Sequence, residues 1–480
     1  MQKFYFILII LIIGQGSGNT QRFLSAESIA TFSAFQLSLL AGIPVQNGVE
    51  QIKIRYEMNG IDGTLDTVSG LVVLPLLTNQ EQLPLIVYQH PTSSSGRNDV
   101  PSSGGFSIGS LESVAFSAFG FLVFATDYLG LGESRGFHPF VHAETEAEAG
   151  INMMYACLDY LEMEEGISWD STNLFVAGYS QGGHASMALH RELETSLIDA
   201  FPVTAAAHMS GPYSLSEVML EKFIVDVPSQ NVADVVFMLL GYQSFYQSIF
   251  DSLSQVFVAP YDSIIQNFYE DQYALIALES QLINALQQNE DSILTKRMFQ
   301  PAFLSQLNDS ESEILQLIRE NDTYDWAPNA PTRLYYCSPD ERVPARNSIL
   351  ADSVMNQNGA VDLESINVNA SANHGDCTLF ALLAAIDFFQ GQFTPVSTEN
   401  AIANIASLQV FPNPAKDFVH VLGIDHFANI EIYSVSGQLI YRSIKEANDV
   451  LDLSTFREGI YYLKVATQMQ TEIHPIQIIR

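Results

Sequence analysis

Short apolar runs recur along most of the chain and are separated by segments with helical periodicity. The runs, which predict buried β-strands, are residues 51–56, 68–74, 85–88, 121–125, 173–177, 203–208 and 332–336. The pattern of apolar residues predicts helices over residues 25–40, 110–119 and 144–162. Strands and helices that alternate in this way predict the α/β class, with a mostly parallel sheet flanked by helices.

Residues 214–331 lie between the last two of these strands and form a segment much too long for a loop. An apolar run at 235–240 and aromatic residues at helical spacing over 242–250 predict that the segment is a helical cap. Two interpretations of these apolar side chains stay open: they form the cap's own core, or they line an acyl pocket over the active site. The two are compatible, because one face of a helix can pack while another contacts substrate.

The C-terminal part of the chain has a different pattern. A stretch rich in Thr, Pro, Ser and Asn predicts a linker at residues 396–405. Beyond it, short runs separated by turns predict strands at 418–421, 430–433, 439–442, 460–465 and 473–479. Residues 406–480 are therefore predicted to form a small β-sandwich of their own.

The N-terminus predicts an export signal. Lys3 is followed by an apolar run at residues 4–13 and by small residues at 14–18. The run is too short to span a bilayer, and the pattern is typical of a secretory signal peptide at residues 1–19. A membrane anchor is the alternative. Cleavage would leave a catalytic domain at residues 20–395.

Charge excludes two classes of partner. The chain carries 54 acidic and 20 basic side chains, a formal net charge of −34. Nucleic acids and anionic membrane surfaces would repel such a protein, so neither is an expected partner. No second Cys or His lies at ligand spacing, and we expect no metal site.

A G-x-S-x-G motif at residues 178–182 lies between two segments with regular apolar patterns. An apolar strand precedes it and a helical pattern follows it, which is the arrangement of a nucleophile elbow. Ser180 is therefore the predicted nucleophile. Residues 105–109 also fit the motif, but they follow a loop composition, so Ser107 is predicted to lie near a helix start.

A serine hydroxyl needs a base to take its proton, and the base needs an acid to orient it. In this fold the order along the chain is Ser, then Asp or Glu, then His. Among the histidines between Ser180 and the C-terminal domain, His374 alone lies late enough to be the base. Asp340 follows the strand at 332–336 and is the predicted acid. Glu341 as the acid, or Asp340 as a turn residue, are the alternatives.

Two backbone amides are predicted to stabilise the oxyanion. One belongs to Gln181 at the start of the helix, where N–H groups are free. The other is expected in the loop after the strand at 85–88. Pro91 has no N–H, so Thr92 is the predicted donor. His90 in the same loop is predicted to have a structural role.

The cysteines add one open question. Cys157 lies in an apolar helical pattern and is predicted to be a buried thiol. Cys337 and Cys377 are close in sequence to Asp340 and His374. A disulfide between them and two separate thiols are both compatible with the sequence, although the odd number of cysteines leaves at least one free.

Residues 51–393 resemble α/β-hydrolases of the secretory lipase and esterase type. Besides the elbow, the segments that carry the resemblance are residues 88–92, 127–132, 138–140, 324–328 and 340–344. The resemblance implies hydrolysis of carboxylic esters without a cofactor, and it implies that Asp127 and His138 are scaffold or rim residues. One departure affects the oxyanion loop, since the family has His-Gly where this chain has His90-Pro91.

The C-terminal domain resembles the sorting domain of the type IX secretion system of Bacteroidetes. The resemblance rests on Phe-Pro-Asn-Pro-Ala at residues 411–415 and Glu-Gly-Ile-Tyr-Tyr at 458–462. It implies that the type IX machinery is a partner and that the protein is secreted or displayed at the cell surface. Export into the periplasm would use the signal peptide, with no stable membrane anchor.

The combined prediction is a secreted serine hydrolase that cleaves a small-molecule or lipid ester through an acyl-enzyme. A peptidase of the prolyl oligopeptidase type shares the triad, but no β-propeller precedes the catalytic part of this chain. A non-catalytic surface binding protein on a hydrolase scaffold is the alternative from another class. Acyl-chain length and alcohol specificity are not predicted by these motifs.

Overall fold

The structure is a computed structural model. It describes residues 22–41, 45–77, 82–164, 167–271, 274–392, 409–411, 413–422, 427–434, 437–446, 450–466 and 471–479. The predicted signal peptide at 1–19 and the predicted linker at 396–405 lie outside the described residues.

A nine-stranded sheet forms the centre of the first part of the chain. Its strands are β1 (Arg22–Phe32), β2 (Gly48–Asn59), β3 (Leu65–Leu76), β4 (Gln82–Gln89), β5 (Leu122–Thr126), β6 (Ser168–Tyr179), β7 (Ala205–Met209), β8 (Thr332–Cys337) and β9 (Leu363–Asn369). The spatial order is β1-β2-β3-β5-β4-β6-β7-β8-β9. All pairs from β5 to β9 are parallel and those from β1 to β5 antiparallel.

Helices cover the sheet and build the cap. They are α1 (Ala34–Ala41), α2 (Ser110–Ala118), α3 (Ala143–Met163), α4 (Gln181–Thr195), α5 (Leu220–Ile224), α6 (Ala233–Tyr246), α7 (Leu253–Val256), α8 (Tyr261–Asp271), α9 (Leu275–Glu290), α10 (Pro301–Leu307), α11 (Glu313–Glu320), α12 (Arg346–Gln357) and α13 (His374–Gln392). Short 3₁₀ turns lie at Pro101–Ser103 and Thr295–Met298, and a π-helical turn lies at Leu215–Met219.

Strand β4 shows why the central strands are uniformly apolar. Tyr88 packs with Phe116 and Phe389 on one face of the sheet, whereas Val87 packs with Met153 on the other. A parallel strand with helices on both sides buries both sets of alternating side chains. These strands and helices confirm the predicted α/β class.

The prediction of a helix over residues 25–40 is wrong for its first half. Residues 25–32 belong to β1, which pairs antiparallel with β2 at the edge of the sheet, and the helix α1 starts only at Ala34. Pairing with a distant strand outweighs a weak local helical pattern, because strand formation depends on the neighbouring strand.

The segment between β7 and β8 is helical and has a core of its own. Val236, Leu239 and Tyr242 of α6 are fully buried in it. Phe137 and Phe140, from the loop between β5 and α3, pack into the same cluster. The apolar run of α6 is thus mainly core, and Met238 is the member that reaches the candidate active site.

The C-terminal residues form two antiparallel sheets. Their strands are β10 (Gln409–Phe411), β11 (Phe418–Leu422), β12 (Phe427–Ser434), β13 (Leu439–Glu446), β14 (Val450–Asp452), β15 (Gly459–Ala466) and β16 (Thr471–Ile478). One sheet has the order β10-β11-β14 and the other β13-β12-β15-β16. Val419 of the first sheet and Ile430 and Leu463 of the second belong to one buried cluster, as expected of a small β-sandwich.

Candidate active site

Ser180 lies at a sharp turn between β6 and α4. Its backbone has φ 59° and ψ −122°, a conformation that residues other than glycine rarely adopt. A Cβ atom on Gly178 would lie 2.0 Å from the carbonyl oxygen of Gly182, and one on Gly182 would lie 1.9 Å from that of Gln89. The two glycines of the motif are therefore required by backbone contacts around the elbow.

The structure brings Ser180, His374 and Asp340 together. Nε2 of His374 lies 2.8 Å from Oγ of Ser180, and Nδ1 lies 2.7 Å from Oδ2 of Asp340. The three residues are buried and come from the ends of β6, β8 and the start of α13. In parallel sheets such positions meet at the carboxyl edge of the strands, which is where the site lies.

Backbone amides hold the acidic loop in place. Oδ1 of Asp340 accepts hydrogen bonds from the N–H groups of Arg342 at 3.0 Å and Val343 at 2.7 Å. Glu341, the alternative acid, accepts instead from the backbone N–H of His374 at 3.0 Å. The phenol of Tyr179 donates to the carbonyl oxygen of His374. Separate contacts therefore hold the ring of His374, the backbone of His374 and the carboxylate of Asp340.

A disulfide joins the two segments that carry Asp340 and His374. Cys337 ends β8 and Cys377 lies in the first turn of α13, with their Cα atoms 6.0 Å apart. The bridge therefore ties the strand before Asp340 to the helix that begins with His374. Cys157 is a free, buried thiol, as predicted, and burial raises its pKa well above the ordinary value. A thiol of this kind is unreactive.

Thr92 and Gln181 line the same small cavity as Ser180, of about 30 Å³. The remaining walls are Phe140, Val141, Pro212, Leu215, Met219, Phe223, Asp234, Met238, Arg342 and Val343. Gln181 is the first residue of α4, where a backbone N–H has no partner inside the helix. The cavity is mostly apolar apart from Ser180, the two candidate oxyanion donors and one ion pair.

That ion pair joins the cap to the acidic loop. Arg342 contacts Asp234 of α6 through Nη2 and Oδ1 at 2.5 Å and through Nε and Oδ2 at 3.1 Å. Two further hydrogen bonds join the cap segment to this loop. Lys222 donates to the carbonyl oxygen of Arg342, and Asn231 donates to that of Glu341. Arg342 is two residues from Asp340, so these contacts hold the cap segment close to Asp340.

His90 and Ser107 are held in structural contacts. The His90 ring stacks on Tyr128 at 4.2 Å, and its nitrogens lie 2.6 and 3.3 Å from the carbonyl oxygens of Pro91 and Asp127. Burial lowers the pKa of His90 to about 4. The Ser107 hydroxyl donates to the carbonyl oxygen of Val100 at 2.8 Å, in the turn before α2.

Buried polar residues behind the elbow include two without a predicted role, Glu146 and His184, beside His138, which was predicted to be a scaffold or rim residue. The side chain of Gln181 contacts Glu146 and His138, and Glu146 contacts His184. The carboxylate of Asp127 accepts from the hydroxyl of Ser69 and belongs to the scaffold. No spacing in the chain links Glu146 to Gln181, because they lie on different helices that only the fold brings together.

The described residues offer neither a metal site nor a membrane span. They contain no group of three or more His, Cys, Asp or Glu side chains placed to hold a metal ion. None of the helices within the described ranges is long and apolar enough to cross a membrane.

Comparisons with known proteins extend the picture. Residues 409–479 match the family described as secretion system C-terminal sorting domain. No curated protein matches the chain in sequence. Among solved structures, the rice cell wall degrading esterase LipA from Xanthomonas oryzae is 25% identical, with 77% of this chain and 97% of that chain covered and a TM-score of 0.65.

Two further structures share the fold. A protein of Legionella pneumophila classed as a hydrolase is 24% identical, with 78% of this chain and 100% of that chain covered and a TM-score of 0.68. Lipase A of Candida antarctica is 14% identical, with 80% and 86% covered and a TM-score of 0.56.

These similarities confirm both predicted resemblances: to esterases and lipases with the α/β-hydrolase fold, and to the C-terminal sorting domain. The sorting domain supports secretion or display at the cell surface and interaction with the secretion machinery. The structural neighbours support the predicted enzyme class. The chain is an ester hydrolase with the α/β-hydrolase fold of esterases and lipases, and it carries a C-terminal secretion sorting domain.

Proposed function

We propose that this protein cleaves carboxylic esters through an acyl-enzyme formed on Ser180, with His374 as general base and Asp340 as the acid that orients it. The observation that carries the proposal is the unbroken hydrogen-bond chain from Asp340 through His374 to Ser180. Because Asp340 accepts at Nδ1, the proton sits on that nitrogen and the lone pair of Nε2 faces the serine hydroxyl.

Acylation uses this arrangement directly. Nε2 of His374 takes the hydroxyl proton as Oγ of Ser180 attacks the ester carbonyl. The carbonyl oxygen becomes an oxyanion, which the N–H groups of Gln181 and Thr92 stabilise. His374 then returns the proton to the leaving alcohol. Deacylation repeats the sequence with water as the nucleophile, and the acid product leaves.

The cavity bears on the substrate. In the described conformation it offers only about 30 Å³, enough for very little besides the reacting group. Leu215, Met219, Phe223 and Met238 come from the cap segment and form much of its wall. A short acyl group therefore requires less movement of the cap side chains than the long chain of a lipid ester does.

Export is the second part of the proposal. Residues 1–19 act as a signal peptide into the periplasm, and residues 406–480 are read by the type IX machinery. The catalytic part is residues 20–395, with its cap at about 214–331 and a linker at 396–405. The well-packed C-terminal cluster around Ile430 and Leu463 supports a separately folded sorting domain.

A serine-directed fluorophosphonate probe tests the chemistry. The folded wild type should be labelled, and Ser180→Ala should lose both labelling and the turnover of aryl esters. Ser107→Ala is the matched control, and it should keep both. Labelling of Ser180→Ala, or an unlabelled folded wild type, would contradict the proposal. Peptide substrates tested beside esters from acetyl to palmitoyl distinguish an esterase from a peptidase.

A further inference from the structure

Gln181 follows Ser180 at the elbow, and its side chain has two hydrogen-bond partners. Its Nε2 lies 2.8 Å from Oε1 of Glu146 and 2.7 Å from Nε2 of His138. All three side chains are buried, with exposed fractions of 1% for Gln181 and Glu146 and 4% for His138. An amide nitrogen has two hydrogens to donate, so both are used and the orientation of the amide is determined.

His138 is held in the tautomer that this contact needs. Its Nδ1 lies 2.8 Å from the carbonyl oxygen of Leu129, which only accepts, so Nδ1 carries the proton. Nε2 is then free to accept from Gln181. Burial lowers the pKa of His138 to about 4, so the ring is neutral near pH 7. The rings of Tyr128 and Phe140 pack against it.

Glu146 is fixed in turn by His184. Its Oε2 lies 2.6 Å from Nδ1 of His184, and Nε2 of His184 lies 2.8 Å from the carbonyl oxygen of Asn321. Asn321 follows α11 at the end of the cap, and its side chain accepts from the N–H of Ala143 at 2.8 Å. The group thus joins α3, α4, the loop before α3 and the base of the cap.

Buried polar pairs contribute little to stability compared with apolar side chains of the same size. Their place beside a nucleophile therefore calls for another role. The oxyanion needs its donors within about 0.5 Å of the right position, and a backbone N–H at a helix start has no helical bond to hold it. The side chain of Gln181 can supply that restraint.

We propose that Glu146, His138 and His184 are positioning residues, which act through the side chain of Gln181 to hold its backbone N–H on the oxyanion. The proposal rests on the proposed esterase mechanism. None of the three needs to touch the substrate. Their contribution appears only when the carbonyl oxygen becomes charged, so it should change kcat and leave KM nearly constant.

The test compares Gln181→Leu and Glu146→Leu with wild type on an aryl acetate. We expect each to lower kcat by about 10- to 100-fold, a smaller loss than removal of an oxyanion donor, while KM changes less than about threefold. A trifluoromethyl ketone forms a tetrahedral oxyanion on serine. Its inhibition constant should rise by the same factor as kcat falls, which a purely structural role would not produce.

Glu146→Gln is the conservative rescue. A glutamine can accept from Gln181 with its oxygen and donate to Nδ1 of His184 with its nitrogen, while Nε2 of His184 keeps donating to the carbonyl oxygen of Asn321. We therefore expect kcat within about threefold of wild type. His190→Gln is the matched control. His190 is equally buried on α4. Its ring nitrogens contact Glu194 and His208, and its ring packs against Trp326. It should lower the melting temperature and leave kcat and inhibition unchanged.

Three results would overturn the proposal: wild-type kcat in both leucine variants, an equal loss in His190→Gln, or no recovery in Glu146→Gln. Failure of the mechanism itself looks different. In that case the wild type hydrolyses no ester, or Ser180→Ala stays active, whatever the network variants do.

Discussion

The hydroxyl of Ser180 meets a partner that lies 194 residues away in sequence. Other contacts hold each group in this hydrogen-bond chain. The strained turn holds Ser180, Asp340 holds the ring of His374, and two backbone amides hold Asp340. Preorganisation of this kind means that little has to rearrange when charge develops. At the scale of single residues, the acid offers the sharpest test.

Asp340→Asn should lower kcat by about 10³- to 10⁴-fold. The asparagine oxygen can keep the bonds to the amides of Arg342 and Val343, so its NH₂ group faces the ring. The proton of His374 then moves to Nε2, and the base can no longer accept from the serine. Steady-state kinetics with an aryl ester measure the loss.

Glu341→Gln is the control for this change, because its side chain can still accept from the N–H of His374. We expect kcat within about threefold of wild type. A loss in Glu341→Gln as large as in Asp340→Asn would point to Glu341 as the acid.

At the scale of elements, β8 and α13 are joined by the disulfide and so move together. The two cysteines are 40 residues apart in sequence. On the loop-entropy argument, a cross-link of this length stabilises the folded state by about 2–4 kcal/mol. The bridge also restrains the candidate site, because it ties the elements that present Asp340 and His374.

Cys337→Ala with Cys377→Ala should lower the free energy of unfolding by about 2–4 kcal/mol, measured by urea denaturation. Cys157→Ala is the control, and it should cost less because only a small side chain is removed. Thiol titration of the denatured, unreduced wild type should find one thiol. Three thiols, or unchanged stability of the double variant, would contradict the bridge.

The contact between the cap and the acidic loop contains a titrating group. Burial and the charge of Asp234 raise the pKa of Glu279 on α9 to about 7, although Arg342 lowers it. Between about pH 4.5 and 7 the folded protein therefore binds more protons than the unfolded chain. Stability attributable to Glu279 falls as the pH rises through this window and is constant above it.

Glu279→Gln should flatten part of this fall between pH 5 and 7. The measurement is the melting temperature across that range, compared with wild type. Glu112 is buried on α2, outside the cap segment, and burial also raises its pKa to about 7. We therefore expect Glu112→Gln to flatten the pH dependence of the melting temperature in the same range. An unaltered pH dependence in Glu279→Gln would show that the carboxyl of Glu279 titrates normally.

At the scale of the whole molecule, the site and the sorting domain use separate cores. Among the described residues, the cap and sheet clusters contain none from the C-terminal strands. The buried members of the C-terminal cluster lie at or beyond Ala415, and Val410 of β10 packs against them. All residues assigned to chemistry precede the end of α13 at Gln392. The division suits an enzyme whose address is needed for export and not for catalysis.

A chain that ends at residue 395 should therefore hydrolyse esters with a kcat within about twofold of the longer form. Both forms are compared after purification, with the active sites counted by fluorophosphonate labelling. Export in the native host should be lost in the shortened form. A large loss of kcat per labelled site would show that the C-terminal domain supports catalysis.

Local pattern was enough to predict the strand and helix on either side of Ser180 and most of the C-terminal strands. The reason is physical: a buried parallel strand must be apolar on both faces, and the elbow has room only for glycine at the positions two residues before and two residues after the serine. Both requirements are visible in a few adjacent residues. Chain order then selected Asp340 and His374 without any knowledge of distance.

Tertiary structure decided the rest. The strand at residues 22–32 forms because it pairs with β2. The bridge between Cys337 and Cys377 forms because the end of β8 lies beside the start of α13. Glu146 and His138 meet Gln181 across different segments. Contacts between segments far apart in sequence leave no local pattern, because each residue satisfies its own element and only the packing brings the groups together.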